Sequence, residues 1–310
     1  MLEQIQGLHH VTSIASDPQR NNDFFTKTLG LRRVKKTVNF DRPDVYHLYY
    51  GNGDGDPGSV MTYFPFPGRL PGSPGTGEVG CTAFAIPEGS LGYWEQRLVD
   101  FGVRTPKKYA LFGEKRLAFQ GPDGDFFALI EVEDDPRKPW TGNSVPSLAA
   151  IRGFHSVCMR IAKQRAMIEL LKFMGYHRIN KEGQVQRFAL KAGNRASFID
   201  LEILPSAPVA VQGAGSVHHV AFSVKNQRAQ QEVRSALLEM GHEVTSIRDR
   251  DYFKAIYFRS PGGILFEVAT DTPGFTCDED QDHLGLALKL PKQHEHLRPL
   301  LEQELQPIVD

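Results

Sequence analysis

His218-His219-Val220-Ala221-Phe222-Ser223-Val224 reads as a buried strand with two histidines at its start, and it aligns with Gly80-Cys81-Thr82-Ala83-Phe84-Ala85-Ile86. A second pair, Gly7-Leu8-His9-His10-Val11 and Gly153-Phe154-His155-Ser156-Val157, repeats the plan. An amphipathic helix pattern follows each strand and stops at Gly30, Gly102, Gly175 and Gly241, which are 72, 73 and 66 residues apart. An apolar residue before each glycine and a strand-like segment after it mark a helix closed by positive φ. Pro122-Asp123-Gly124 and Pro261-Gly262-Gly263 then turn into apolar strands that carry Glu131 and Glu267. The chain is thus four units, each a strand, a helix and further strands, and each about half of a small domain.

Sequence order suggests that units one and two pair into one domain (1–140) and units three and four into another (147–272), followed by a tail (273–310). The charged, proline-broken run Glu133-Asp134-Asp135-Pro136-Arg137-Lys138-Pro139 marks the join. Gly51 to Gly58 resembles a phosphate loop in composition only, since no Lys-Ser/Thr or helix start follows; a hairpin loop is expected there. Pro65 to Gly77 reads as a second surface loop, one that borders a site.

Composition narrows the function. With 36 basic and 37 acidic residues the net charge is −1, which argues against nucleic acid as a partner. No apolar run reaches the roughly 20 residues of a membrane helix, and MLEQIQGLHH lacks a secretory pattern. Cys81, Cys158 and Cys277 are scattered, so neither a CxxC knuckle nor a disulfide framework is expected, and a reducing cytoplasm is the expected location.

The chemistry-bearing residues follow the repeat. Imidazole is the commonest transition-metal ligand, and His9-His10 and His218-His219 lie on the first strands of units one and four. Neighbours on a strand face opposite ways, so one histidine of each pair enters a cavity; Thr12 shares a face with His10. Glu267 completes two imidazoles and a carboxylate, the set that suits non-haem Fe(II) with open positions. The pseudo-equivalent positions are Ser156, Cys81 and Glu131, so the expectation is one site per chain, built across the domain boundary from units one and four. His155 aligns with His9 and is not assigned to metal. The acidic run Asp278 to Asp282 reads as a solvated loop, and His283, His294 and His296 as surface residues.

The units resemble the βαβββ modules of the vicinal oxygen chelate superfamily, which includes glyoxalase I, fosfomycin-resistance proteins and extradiol dioxygenases. Within it, the chain resembles the hydroquinone-type ring-cleaving dioxygenases. The resemblance is carried by Leu8-His9-His10-Val11-Thr12, Tyr46-His47-Leu48-Tyr49-Tyr50, Pro57-Gly58-Ser59-Val60-Met61-Thr62-Tyr63-Phe64-Pro65, Arg259-Ser260-Pro261-Gly262-Gly263-Ile264-Leu265-Phe266-Glu267 and Gly274-Phe275-Thr276-Cys277-Asp278-Glu279-Asp280. It implies an α+β fold of four βαβββ modules paired into two domains with curved, open-barrel mixed sheets. It also implies metal ligands His10, His219 and Glu267, supporting roles for His9 and His218, and substrate contacts from Arg250 and Tyr257. The implied activity is Fe(II)-dependent extradiol-type ring cleavage, with Mn(II) as an alternative ion and a small aromatic and dioxygen as partners. A glyoxalase or thiol-transferase metalloenzyme and a non-catalytic aromatic-binding protein are the competing expectations, and the number of chains in the assembly stays open.

Overall fold

In the computed structural model, which describes residues 2–104, 106–142 and 144–310, each unit folds as a strand, a helix and three strands. The first comprises β1 (Ile5–Ala15), α1 (Pro18–Asp23) continued by a wide turn over Phe24–Thr28, β2 (Arg32–Val38), β3 (Tyr46–Gly51) and β4 (Val60–Pro65). The second comprises β5 (Glu78–Pro87), α2 (Leu91–Asp100), β6 (Lys107–Leu111), β7 (Glu114–Gln120) and β8 (Phe126–Val132). The third comprises β9 (Gly153–Ile161), α3 (Arg165–Phe173), β10 (His177–Glu182), β11 (Val185–Ala189) and β12 (Phe198–Ile203). The fourth comprises β13 (Val217–Val224), α4 (Gln227–Glu239), β14 (Arg248–Asp249), β15 (Phe253–Arg259) and β16 (Leu265–Pro273). The four helix-closing glycines have φ of +68°, +70°, +92° and +84° in chain order, a conformation that glycine adopts without steric cost.

Two mixed eight-stranded sheets result, ordered β14-β15-β16-β13-β1-β4-β3-β2 and β10-β11-β12-β9-β5-β8-β7-β6. Unit one therefore shares a sheet with unit four, and unit two with unit three, which corrects the pairing of sequence neighbours. Either pairing would cover the free edge of a unit's first strand, so the repeat alone does not decide between them. Here β1 pairs antiparallel with β13, and β5 with β9.

Strand alternation separates two environments. Val220, Phe222 and Val224 of β13, with Leu8 and Val11 of β1, enter the main apolar core beside Val233 and Leu237 of α4. Each such side chain contributes roughly 1.5–3 kcal/mol on burial. His219, Ala221, His10 and Thr12 take the opposite, concave face.

The tail, which includes α5 (Arg298–Glu304), folds back on the edge of the first sheet. Phe275 and Leu284 join Val34, Tyr49, Tyr252 and Phe253 in a second apolar cluster. Gly55 (φ +71°) makes room for this: a Cβ there would lie 2.7 Å from the Phe275 ring. The acidic run is not simply a solvated loop. Asp278 and Glu279 approach the fully buried Lys35 of β2 at 2.6 and 2.5 Å, because a buried ammonium requires carboxylate partners.

Candidate metal centre

Register brings the site together. Tyr257, Glu267, Ala221, His10 and Val60 lie side by side across β15, β16, β13, β1 and β4. The neighbouring row runs His219, Thr12, Thr62, Tyr49 and Lys35. The three expected donors therefore meet at the β1–β13 seam inside one sheet.

Nε2 of His219 lies 2.8 Å and Nε2 of His10 lies 3.4 Å from Oε2 of Glu267, and the two Nε2 atoms are 3.3 Å apart. Donors at right angles around a cation bonded at about 2.1 Å stand about 3 Å from one another. All three residues are buried, and the Glu267 oxygens accept no well-aligned hydrogen bond. Burial alone would raise the Glu267 carboxyl, but the imidazoles of His10 and His219 hold it well below the usual carboxylate range. A buried carboxylate facing two imidazole nitrogens is a donor set that fits a divalent transition metal. Among the described residues, no other group of three histidine, cysteine or carboxylate side chains converges in this way.

The first histidine of each pair supports the second. Nδ1 of His9 is 2.9 Å from Nδ1 of His10, and Nδ1 of His218 is 2.8 Å from Nδ1 of His219. Burial and the adjacent imidazole push His9 and His218 down to about 3, so both are neutral. His10 and His219 can then donate Nδ1–H to their neighbours and keep Nε2 free for a ligand. His9 is fixed in turn by a hydrogen bond to the Thr270 backbone.

The triad lies in the wall of a cleft of about 630 Å³ that Arg250, Tyr257, His47, Tyr49, Phe64 and Phe253 also line. The Tyr257 ring stands edge-on to His219 with centroids 5.8 Å apart, and burial followed by the Glu267 charge raises its hydroxyl. Arg250, only 14% exposed, covers the Phe40 ring at 5.0 Å and approaches Asp41 at 3.5 Å. Thr12 is drawn into a chain that residue types alone did not reveal. Its hydroxyl is 2.8 Å from that of Thr62, Thr62 is 2.9 Å from Nε2 of His47, and Nδ1 of His47 is 2.8 Å from the Tyr49 hydroxyl. Burial, then His10 and His219, lowers His47 well below its ordinary value; burial and Glu267 raise Tyr49. The available signal was His47 and Tyr49 at i and i+2 in a buried strand, on the face that Thr62 shares.

Other expectations are sorted by the same geometry. Phe66 and Arg69 place the start of the Pro65–Gly77 loop at the cleft, while Ser73 and Thr76 bridge to Val211 and Val209. The counterpart of Glu267 is Ala128, which pairs with Ala83 as Glu267 pairs with Ala221. Glu131 lies three residues further on and accepts from the Leu91 backbone at the start of α2, so no carboxylate survives at the second position. His155 meets Ser156 and Glu114. His283 is exposed, but His294 is half-buried and its Nε2 donates to the Phe40 carbonyl at 2.8 Å.

The chain matches the family model for the Glyoxalase/Bleomycin resistance protein/Dioxygenase superfamily over residues 7–129. It is 41% identical to a protein of Bacillus subtilis (strain 168) named as a ring-cleaving dioxygenase, MhqO, over 99% of this chain and 98% of the relative. It is 35% identical to the chlorohydroquinone/hydroquinone 1,2-dioxygenase of Sphingobium indicum, over 99% and 98%. A crystal structure of a Bacillus subtilis protein named as a dioxygenase superposes with a TM-score of 0.95 at 41% identity, covering 99% of this chain and 98% of that one.

Proposed function

The chain belongs to the glyoxalase/bleomycin resistance protein/dioxygenase superfamily, and within it we propose an extradiol-type dioxygenase that holds Fe(II) on His10, His219 and Glu267 and opens a dihydroxylated ring. The observation that carries this reading is the buried three-donor set in the wall of an aromatic-lined cleft. Its strand neighbour on the unit-one side is Val60, so this row brings no further protein ligand beside His10 and leaves room for substrate. Mn(II) suits the same donors. A hydroquinone is the favoured ring, in keeping with what the Sphingobium relative is named for.

The cation would supply Lewis acidity and a path for electron exchange between ring and dioxygen. Both oxygen atoms enter the product, and the carbon–carbon bond beside a ring hydroxyl breaks, so no external reductant is needed. Arg250 stabilises the negative charge that develops on the ring oxygen. Tyr257, held protonated, donates a hydrogen bond to the reacting edge. His47, neutral and bonded to Tyr49 and Thr62, can pass a proton along that chain. Phe64 and Phe253 flank the ring and exclude water. The three free thiols suit a reducing cytoplasm.

Anaerobic loading with Fe(II), followed by oxygen-uptake assays on hydroquinone and catechol, tests the reading. Uptake matched to ring loss is expected. Isomerisation of a hemithioacetal with Zn or Ni, and no oxygen uptake on either ring, would overturn it in favour of a glyoxalase-type enzyme.

A further inference from the structure

The mouth of the cleft carries more positive charge than ring cleavage needs. Arg42, Arg69, Arg248 and Arg250 line it, against the carboxylates of Asp41 and Glu267. The whole chain has a net charge of −1, so this concentration is local rather than a general basicity. Two of the four are engaged. Arg42 is held by Asp44 through contacts of 3.0 and 2.8 Å, and Arg250 lies over Phe40 beside Asp41.

Among the described residues, the side chains of Arg69 and Arg248, both exposed at the rim of the cleft, have no hydrogen-bond or ion-pair partner and are free to meet an anion there. Their backbones are placed. The Arg69 amide donates to Phe66 O at 3.0 Å, while the Gly68 amide beside it donates to Ser16 O at 3.2 Å. Arg248 pairs with Ala255 across β14 and β15 and stands two residues before Arg250, on the same side of an extended segment. A cleft of about 630 Å³ also exceeds the needs of a single ring, leaving space for a substituent.

Resting on the ring-cleavage reading of this cleft, we propose that the substrate is a dihydroxylated ring carrying a carboxylate arm, and that Arg69 and Arg248 receive that carboxylate. The planar guanidinium fork matches carboxylate geometry, and a positive rim draws anions toward the cleft. In this arrangement the hydroxyl edge of the ring faces the triad while the arm points to the mouth.

The test compares 2,5-dihydroxyphenylacetate with unsubstituted hydroquinone in the wild type, Arg69→Gln and Arg248→Gln. Anaerobic calorimetry gives binding of each ring to the metal-loaded protein, and oxygen uptake gives kcat/KM. The wild type should favour the carboxylated ring in both measurements, with the preference shrinking as salt rises. Each variant should lower that preference by about tenfold or more, the size of one charge-assisted hydrogen bond. Equal binding of the two rings by the wild type, or an unchanged preference in both variants, overturns the proposal. If hydroquinone is cleaved without any preference, ring cleavage stands and this inference fails. If neither ring is cleaved but the arginine-dependent binding preference persists, the carboxylate site at Arg69 and Arg248 stands and the ring-cleavage reading fails.

Discussion

The row Tyr257–Glu267–Ala221–His10 of the first sheet has as its counterpart Ala118–Ala128–Ala83–Ser156 in the second, and His219–Thr12–Thr62–Tyr49–Lys35 corresponds to Cys81–Cys158–Asp200–Arg187–Asn180. Both concave faces are polar, but they dispose of charge differently. In the second sheet, Arg187 grips Asp200 at 2.7 and 2.8 Å and Glu114 at 2.5 Å, while Arg116 meets Glu114 at 2.6 Å. His155 closes the group at 3.2 Å from Glu114. Every one of those charges is answered within the chain. In the first sheet the Glu267 carboxylate faces the two imidazole nitrogens and the Tyr257 hydroxyl, and the three donors converge on an open cleft. One scaffold thus has one concave face whose charges close on one another and another whose donors are left facing a cleft.

The largest effect expected from this contrast comes from Glu267→Ala, which gives the first face the residue that the second has at Ala128. Metal per chain should fall to background and ring cleavage by well over a hundredfold, more than the loss of a supporting partner would cost. Metal content settles the matter: full occupancy in Glu267→Ala would remove the residue from the site. Asp200→Ala probes the opposite face and should show the opposite pattern. Breaking a buried pair costs about 3–5 kcal/mol, read as a lower urea midpoint, with metal content unchanged. A cost below about 1 kcal/mol would mean that the network does not support the fold.

These contrasts also show how far residues in order can be read. The four units, their closing glycines and the three convergent donors were legible, because strand alternation and turn chemistry are local. The pairing of units was not, since the edges of β1 and β5 can be covered in more than one way. Matching by residue type put Glu131 opposite Glu267, whereas counting from the turns, six residues after Pro122 and after Pro261, gives Ala128. A period-2 structure obeys the count. Lys35 with Asp278 and Glu279 was hidden for another reason: the partners lie more than 240 residues apart, and nothing local marks a buried lysine in an otherwise ordinary strand.

A smaller effect belongs to the paired histidines. His9→Ala and His218→Ala leave all three donors in place and remove the group that receives Nδ1–H from His10 and from His219. Metal affinity should drop about 10–100-fold in each, measured by competition with a chelator. His155→Ala, at the position that matches His9, should leave metal affinity unchanged. Equal losses at His9 and His155 would mean that the effect is general destabilisation.

The smallest effect separates the edges of the two sheets. The outer strand β10 of the second sheet is exposed along nearly its whole length, while β2 of the first is almost entirely buried under the tail. From that tail, Nε2 of His294 and Nε2 of Gln293 donate to the Phe40 carbonyl at 2.8 and 2.9 Å. Phe40 in turn carries the Arg250 guanidinium on its ring. His294→Ala removes one of two donors to a single acceptor, a change of about 0.5–1.5 kcal/mol. That energy acts on the position of the rim and leaves the triad and Tyr257 where they are. Because the rim includes Arg250, kcat/KM should therefore fall about two- to tenfold, and Gln293→Ala should behave alike. An unchanged kcat/KM in both variants would mean that the tail does not position Arg250, and the first sheet's covered edge would then serve stability alone.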